Sequence, residues 1–426
     1  MIKDDLEEFD AQVKRHFRRN FIVNAGDFAF YILGLNFVSI LTILPAFARK
    51  LTSSNLVIGM IPAINVMGWR LPQIISARYV ERLNRKMPFI LIVGIGERIT
   101  WLFLSLAVFM LAGSSPIWIL LAFFIFYAIF CFSGGINTPA WLDMIAKIIP
   151  ERRRGRFFGV SNFIGSGTGV VGALIAGHLL DKLSFPNNFA TCFMLTFAAT
   201  AISMVFLALT KEPSYPVVKE RSSLKNYIGQ LWTITRYNHN FLFFLVATVI
   251  LSFGGMATGF FAVHAINKLD LSGGDIGRFT AISLVFQTIT NPLWGYLGDR
   301  KGHRSVMVAG ATGAILATLT AAFANSTSFF YVVFAITGIS LSADAIARLS
   351  IVLEFSEPEE RPTYIGLTNT IKAPFAISAP MLGGMLGDRF QLPFVFLLTS
   401  GVVFIGLFVL LLMVKEPRSQ RQTLAE

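Results

Sequence analysis

Asp27 lies about seven residues inside an apolar run spanning roughly residues 21–48. Coiled as a helix with a rise of about 1.5 Å per residue, that run carries the carboxylate about 10 Å from its polar end. Asn24 and Tyr31 stand three residues before it and four after, so all three share one helical face, a polar stripe able to line a cavity. The chemistry open to such a group is proton exchange. Burial favours the protonated form and a nearby cation the ionised form, so a carboxyl whose cation comes and goes can carry a proton. Arg70, about eight residues from the end of the next apolar run, lies at similar depth, and an Asp27–Arg70 pair is geometrically allowed. A permanent pair that simply joins two helices stands beside the proton-carrier reading.

Other ionisable residues fall at the same depth. Glu97 and Arg98 are adjacent in the middle of the third apolar run. Neighbours on a helix point roughly 100° apart, so each is expected to reach a different helix. Cargo recognition and structural pairing are both open for them, because a charge at membrane depth is costly unless paired or set in a cavity. Lys372, followed by Pro374 and Pro380, marks a charged site in a helix expected to bend. His264, near the outer end of the seventh run, is either a group titrating near neutral pH or simply hydrogen-bonded. Asp344 and Arg348, spaced i and i+4, suit an intrahelical pair.

What positions these charges is a membrane. The chain has 426 residues, is 54% hydrophobic and 14% charged, and carries 42 phenylalanines, too little polar surface for a soluble domain. The formal net charge of +12 is spread over short clusters between apolar runs, which argues against nucleic acid as a partner. Cys131 and Cys192 sit inside apolar runs as small packing residues. His16, His178, His239, His264 and His303 are scattered without ligand spacing, and no glycine-rich loop ends in lysine and a hydroxyl residue, so neither a metal, nor ATP, nor another cofactor is expected. Gly165-Ser-Gly167-Thr-Gly169 follows no strand; Gly165, Gly169, Ala173 and Gly177 recur every four residues, which permits close helix approach. Gly254, Gly255 and Gly259 mark an expected break in the seventh run.

Twelve runs are long enough to cross a bilayer, at about 21–48, 55–78, 87–112, 116–142, 156–180, 188–210, 241–266, 275–298, 304–325, 328–353, 363–387 and 391–414. Residues 1–20 read as a polar N-terminal segment without a cleavable signal, 211–240 as a charged linker and 415–426 as a tail. Basic residues gather in alternate connections: Arg78, Arg82, Arg85 and Lys86; Lys147 and Arg152 to Arg156; Lys211, Lys219, Arg221, Lys225 and Arg236; Arg300, Lys301 and Arg304. The positive-inside rule then places both termini in the cytoplasm.

The two halves resemble each other. Thr210-Lys211-Glu212-Pro213 closes the sixth run and Val414-Lys415-Glu416-Pro417 the twelfth, 415−211 = 204 apart. Pro150-Glu151-Arg152 with Gly159 opens the fifth, and Pro358-Glu359-Glu360-Arg361 with Gly366 the eleventh, 366−159 = 207 apart. Glu81-Arg82 and Asp299-Arg300 follow the second and eighth, 299−81 = 218 apart. Six spans repeated in the same orientation make an all-α membrane protein of twelve transmembrane helices in two pseudo-symmetric six-helix bundles, 21–210 and 241–414.

The connection Gly295-Tyr-Leu-Gly-Asp299-Arg300-Lys-Gly302-His-Arg304 resembles the signature loop of the major facilitator superfamily, here of prokaryotic type. The first-half copy, Tyr79-Val-Glu81-Arg82-Leu-Asn84-Arg85-Lys86, departs from that signature, with glutamate for aspartate and asparagine for glycine. The resemblance implies that Asp299 with Arg300 and Arg304, and by repeat Glu81 with Arg82 and Arg85, help latch the cytoplasmic side. Asp143 and Glu354 are the candidate acidic partners; a solvated basic loop that only sets topology is the alternative.

The resemblance also implies a secondary active transporter for a small organic solute, a monomer in the plasma membrane, rocking its halves around one site, with protons as the candidate coupling partner and no enzymatic activity. Abundant phenylalanine is compatible with amphipathic, drug-like cargo moving outward, and it also simply suits a lipid-facing surface. Uptake of sugars or metabolites is the alternative and a polytopic membrane enzyme a distant one. The fourth span lacks the buried arginine of many proton-linked drug exporters in that superfamily.

Overall fold

The computed structural model describes residues 2–111, 113–214, 238–356 and 361–417. Most of the linker, with Lys219, Arg221, Lys225 and Arg236, lies outside the described residues, as do Pro358-Glu359-Glu360 and the tail beyond 417.

Among the described residues every regular element is a helix. In chain order they are α1 (Ile2–Asn36), α2 (Ile43–Leu51), α3 (Asn55–Val80), α4 (Met87–Met110), α5 (Pro116–Ile148), α6 (Glu151–Lys182) and α7 (Asn187–Ala208). After the linker come α8 (His239–Ser252), α9 (Gly255–Thr258), α10 (Phe261–Lys268), α11 (Gly273–Lys301), α12 (His303–Phe323), α13 (Thr327–Phe355), α14 (Arg361–Arg389) and α15 (Leu392–Leu412). Eight stretches, with α8 to α10 taken as one, are long and apolar enough to cross a membrane. The long helices α1, α3, α11 and α14 fall short of that apolar standard because charged and polar side chains, Asp27, Arg70 and Lys372 among them, interrupt them. That is what a helix needs if one face lines a polar cavity.

One expectation is corrected. The first span is no single helix over 21–48: α1 ends at Asn36 and the chain restarts at Ile43. α1 itself runs unbroken from Ile2 to Asn36, so the polar N-terminal residues are helical and continue into the first span. The seventh span breaks likewise, between Ser252 and Phe261, over Gly254 and Gly259.

The described residues fall into two compact units. One comprises Met1–Ser39, Ile64–Arg221 and Ser272–Gly277; the other comprises Ile40–Ala63, Ser222–Leu271 and Arg278–Glu426. The main division falls between Arg221 and Ser222, while Ile40–Ala63 and Ser272–Gly277 group with helices from the other half of the sequence. In the first unit α1 packs on α6 and α7, and α4 on α5 and α7. Its interior is aromatic: Trp101, Tyr127, Phe123 and Phe193 are all buried. Gly165, Gly169 and Gly172 of α6 bring it against Phe28, Asn36 and Leu33 of α1. In the second unit α12 packs on α13 and α15, and α15 on α8. Outward-facing side chains such as Ile22, Ile75, Met110 and Phe163 are exposed and apolar, as a lipid-facing surface requires.

Candidate functional site

Three helices of the first unit bring the intramembrane charges together. On α1, Asp27 and Tyr31 share a face; on α4, Glu97 and Arg98 sit mid-helix; on α7, Thr196, Thr200 and Ser203 form a buried hydroxyl stripe. Because α7 packs on both α1 and α4, that stripe meets both sets of charges. The Ser203 hydroxyl donates to Asp27 Oδ1 at 2.6 Å. Arg98 Nη2 lies 3.9 Å from the same oxygen and Nη1 lies 3.6 Å from Glu97 Oε2. Tyr31 donates to Glu97 Oε1 at 2.5 Å, and its ring lies under the Arg98 guanidinium at 5.4 Å.

Arg98 is held chiefly by neutral groups. Its Nε donates to the Thr200 carbonyl at 2.9 Å, its Nη1 to the Gly94 carbonyl at 3.1 Å, and its Nη2 to the Ser203 hydroxyl at 3.3 Å. A guanidinium has five N–H donors in a fixed fork, so these acceptors anchor the cation while both carboxylates stay near it. Two carboxylates therefore surround one cation, a site with room for one further positive charge.

A cavity of about 220 Å³ opens on this cluster. Asp27, Glu97 and Arg98 provide its charge; Phe28, Tyr31, Trp69 and Trp141 provide aromatic walls; Asn137 and Thr138 add amide and hydroxyl groups. The approach of α3 to α5 shapes it. A Cβ on Gly134 would meet the Trp69 ring, and one on Gly135 the Gly68 carbonyl, so glycine at both positions lets Trp69 reach the wall.

Several site expectations change. Asp27 takes Arg98 as its cation, whereas Arg70, on α3, is not among the residues lining the cavity. Asn24 does not extend the cavity stripe: it is fully buried, donating to the Asn20 carbonyl and the Thr210 hydroxyl. Glu97 and Arg98 do reach different helices, Glu97 to Tyr31 of α1 and Arg98 to Thr200 and Ser203 of α7, but both also meet α1 and they lie against each other. The long arms of both residues overcome the 100° between their Cα–Cβ directions. In the second unit Lys372 is buried on α14. His264 is buried beside Phe330 and Phe396, beside a shallow cavity also lined by Asn267 and Lys268. Asp344 and Arg348 lie 3.8 Å apart along α13.

The basic connections also find partners that sequence reasoning missed. Asp143 pairs with Lys86 at 3.2 Å, and Glu354 with His303 Nδ1 at 2.7 Å. Arg85 instead donates to the Ser214 hydroxyl at 2.9 Å; Arg304 donates to the carbonyls of Leu410 and Leu411 at 3.1 and 2.6 Å; Arg300 lies over the Tyr296 ring at 4.7 Å. Glu81, Arg82, Gly295 and Asp299 stand at the ends of α3 and α11, as their spacing places them. Gly302 has a φ of +86°, a left-handed conformation that favours glycine, and a Cβ there would collide with the Glu416 carboxylate. Glu212 accepts from the N–H groups of Lys86 and Met87, both at 2.8 Å, capping α4, and pairs with Lys147 at 2.9 Å.

Known proteins agree with this architecture. A solved bacterial homologue of the human lysosomal transporter Spinster superposes over 94% of this chain and 97% of its own, with a TM-score of 0.72 at 15% identity. The nucleoside transporter NupG superposes over 93% of this chain and 99% of its own, with a TM-score of 0.65 at 15% identity. In sequence, the multidrug resistance protein MdtG of Serratia proteamaculans is 29% identical over 33% of this chain and 34% of its own length. The uncharacterised MFS-type transporter YuxJ of Bacillus subtilis is 25% identical over 39% of this chain and 44% of its own. The matched stretch thus spans under half the length of either curated relative. The profile of the Major Facilitator Superfamily matches residues 26–273 and again 244–426, one match for each half, so the chain belongs to the Major Facilitator Superfamily.

Proposed function

We propose that this protein is a secondary active transporter that exports amphipathic, drug-like solutes by alternating access, in exchange for protons. It acts as a monomer in the plasma membrane, with both termini cytoplasmic. The observation that carries the reading is the cavity in which Asp27, Glu97 and Arg98 face a wall of Trp69, Trp141 and Phe28. Aromatic faces suit a flat or greasy cargo, and a proton or a cationic cargo would complete the charge balance of two carboxylates and one guanidinium. Exclusive use of that vacancy by one or the other is what exchange requires. The name carried by the MdtG relatives favours export.

Asp27 is the proposed coupling residue, because the cation beside it, Arg98, is anchored by other groups. When Asp27 gains a proton, Arg98 keeps its bonds to Thr200, Gly94 and Ser203 and the site does not collapse. The basic connections, with Asp299, Arg300, Arg304, Glu81, Arg82 and Arg85, are proposed to close the cytoplasmic side.

The test is flux in proteoliposomes under an imposed pH gradient, with a fluorescent lipophilic cation as cargo. Gradient-driven movement that is lost in Asp27→Asn supports the reading, and gradient-driven movement undiminished in that variant removes Asp27 from the coupling role. Uptake of sugars or metabolites is the second reading, favoured by the nucleoside transporter among the structural neighbours. A radiolabelled nucleoside that moves in the same vesicles, while the cation does not, decides for it.

A further inference from the structure

Two aspartates that take no part in the cavity occupy equivalent helix ends in the two units. In the second unit Asp388, near the end of α14, accepts from the N–H groups of Asn55 at 2.5 Å and Leu56 at 3.0 Å and from the Ser54 hydroxyl at 2.8 Å. These are the first turn of α3. In the first unit Asp181, near the end of α6, accepts from the Gly274 N–H at 2.9 Å, in the first turn of α11. Each carboxylate meets the unsatisfied donors and the positive end of a helix dipole.

The registers coincide. The carboxylates are 388−181 = 207 residues apart and the amides 274−56 = 218 apart. Those are the offsets that separate Gly159 from Gly366 and Glu81 from Asp299. Ser54 and Ser272 are also 218 apart. One turn further in, a Cβ on Gly59 would collide with the Pro380 carbonyl and one on Gly277 with the Ala173 carbonyl, again at offsets of 218 and 207. Carboxylate cap and glycine crossing together form one device, built twice.

In sequence, α3 and α6 belong to the first six spans and α11 and α14 to the last six. Each cap therefore ties a helix from one half of the sequence to a helix from the other, at the end away from the basic connections. We propose that Asp388 and Asp181 are paired gating residues, which hold that end of the transporter shut while the caps are made and release it when they break. The inference rests on the alternating-access reading above, since only that cycle requires the end to open. Such caps suit a gate because water can replace their hydrogen bonds at modest cost. Burial alone would raise the Asp388 carboxyl, but the hydrogen bonds from Leu56, Asn55 and Ser54 and the charge of Arg49 hold it below the ordinary carboxylate range. The cap stays ionised across ordinary pH.

The experiment uses the full chain in proteoliposomes with Ile58→Cys as reporter, a side chain of α3 buried behind the cap. A membrane-impermeant maleimide is added on the side of the cap, and flux and melting temperature are measured alongside. Removing one cap, as Asp388→Ala or Asp181→Ala, should raise the labelling rate about fivefold, and removing both about 25-fold, for two independent capping losses of typical size. Asp388→Asn, which keeps an acceptor without the charge, should fall between. Unchanged labelling in the single and double variants while the parent still moves cargo overturns the gate and leaves transport standing. A fall in melting temperature without a rise in labelling also overturns it, as a purely structural cap. Raised labelling where the parent moves no cargo supports the gate and overturns the export reading instead. The single variants carry the test if the double variant does not fold.

Discussion

The Arg98 guanidinium stands 3.9 Å from the Asp27 carboxylate, and the Ser203 hydroxyl reaches the same oxygen at 2.6 Å. The cation is close enough to stabilise a charge on Asp27 and too far to be its hydrogen-bond partner. Protonation of Asp27 then keeps an oxygen that accepts from Ser203 and weakens one Coulomb attraction, leaving the guanidinium in place. That separation is the basis of the coupling role proposed for Asp27.

Asp27→Asn should abolish pH-gradient-driven flux while retaining downhill cargo exchange, because the amide keeps the acceptor for Ser203 and loses the titrating proton. Vesicle flux with and without the gradient checks it.

Arg98→Lys should cost about 2–3 kcal/mol of stability and at least about tenfold in flux. An ammonium has three donors on a point and cannot reach Thr200, Gly94 and Ser203 together, so buried acceptors are left unmet. Thermal unfolding in detergent and flux in vesicles report the two effects.

Glu212→Gln should destabilise the protein by about 3 kcal/mol, the order expected when one member of a buried ion pair is removed. The glutamate caps α4 through Lys86 and Met87 and also neutralises Lys147. The amide keeps one acceptor for the cap but takes from the buried ammonium the carboxylate it pairs with at 2.9 Å. A drop in melting temperature near neutral pH, reversed by the further change Lys147→Met, is the expected result.

Glu416 gives a pH signature. Burial, and then the charge of neighbouring Glu354, push its carboxyl up to about 7. Arg304 opposes the shift, and His303 faces Glu354. In the unfolded chain the group titrates at its ordinary value of 4.5. The folded state therefore binds the proton more tightly, so this stability is complete below that value and is lost as pH rises through about 7. Glu416→Gln should flatten the decline in melting temperature between about pH 5 and pH 8, and an unchanged slope would refute it.

Much of the fold was legible because membrane spans announce themselves. Length and hydropathy marked the spans, and the Gly254–Gly259 glycines marked the break in the seventh. The break after Asn36 went unseen because Phe37 to Thr42 is as apolar as its surroundings. At the site, Asp27, Tyr31, Glu97 and Arg98 were visible as charges and a phenol at membrane depth. Ser203 and Thr200 were not singled out, although their spacing with Thr196 made a readable hydroxyl stripe. Trp69 and Trp141 were lost among many aromatic residues. Asp181 and Asp388 carry a readable signal, the repeat offset of 388−181 = 207 at two helix ends, but lie outside the depth at which a charge stands out.

The one-dimensional pattern by itself determined that the chain is helical, crosses a membrane, is built twice, and carries unpaired-looking charges at depth, because apolar length and repeat offsets are properties of order along the chain. Tertiary structure decided which charge meets which. Asp27 chose Arg98 over Arg70, Asp143 took Lys86, and Glu354 took His303, since partner choice depends on which helices pack together and how each is turned about its axis. Neither the packing of α7 between α1 and α4 nor the rotation that aims Arg98 along it is written in any single helix.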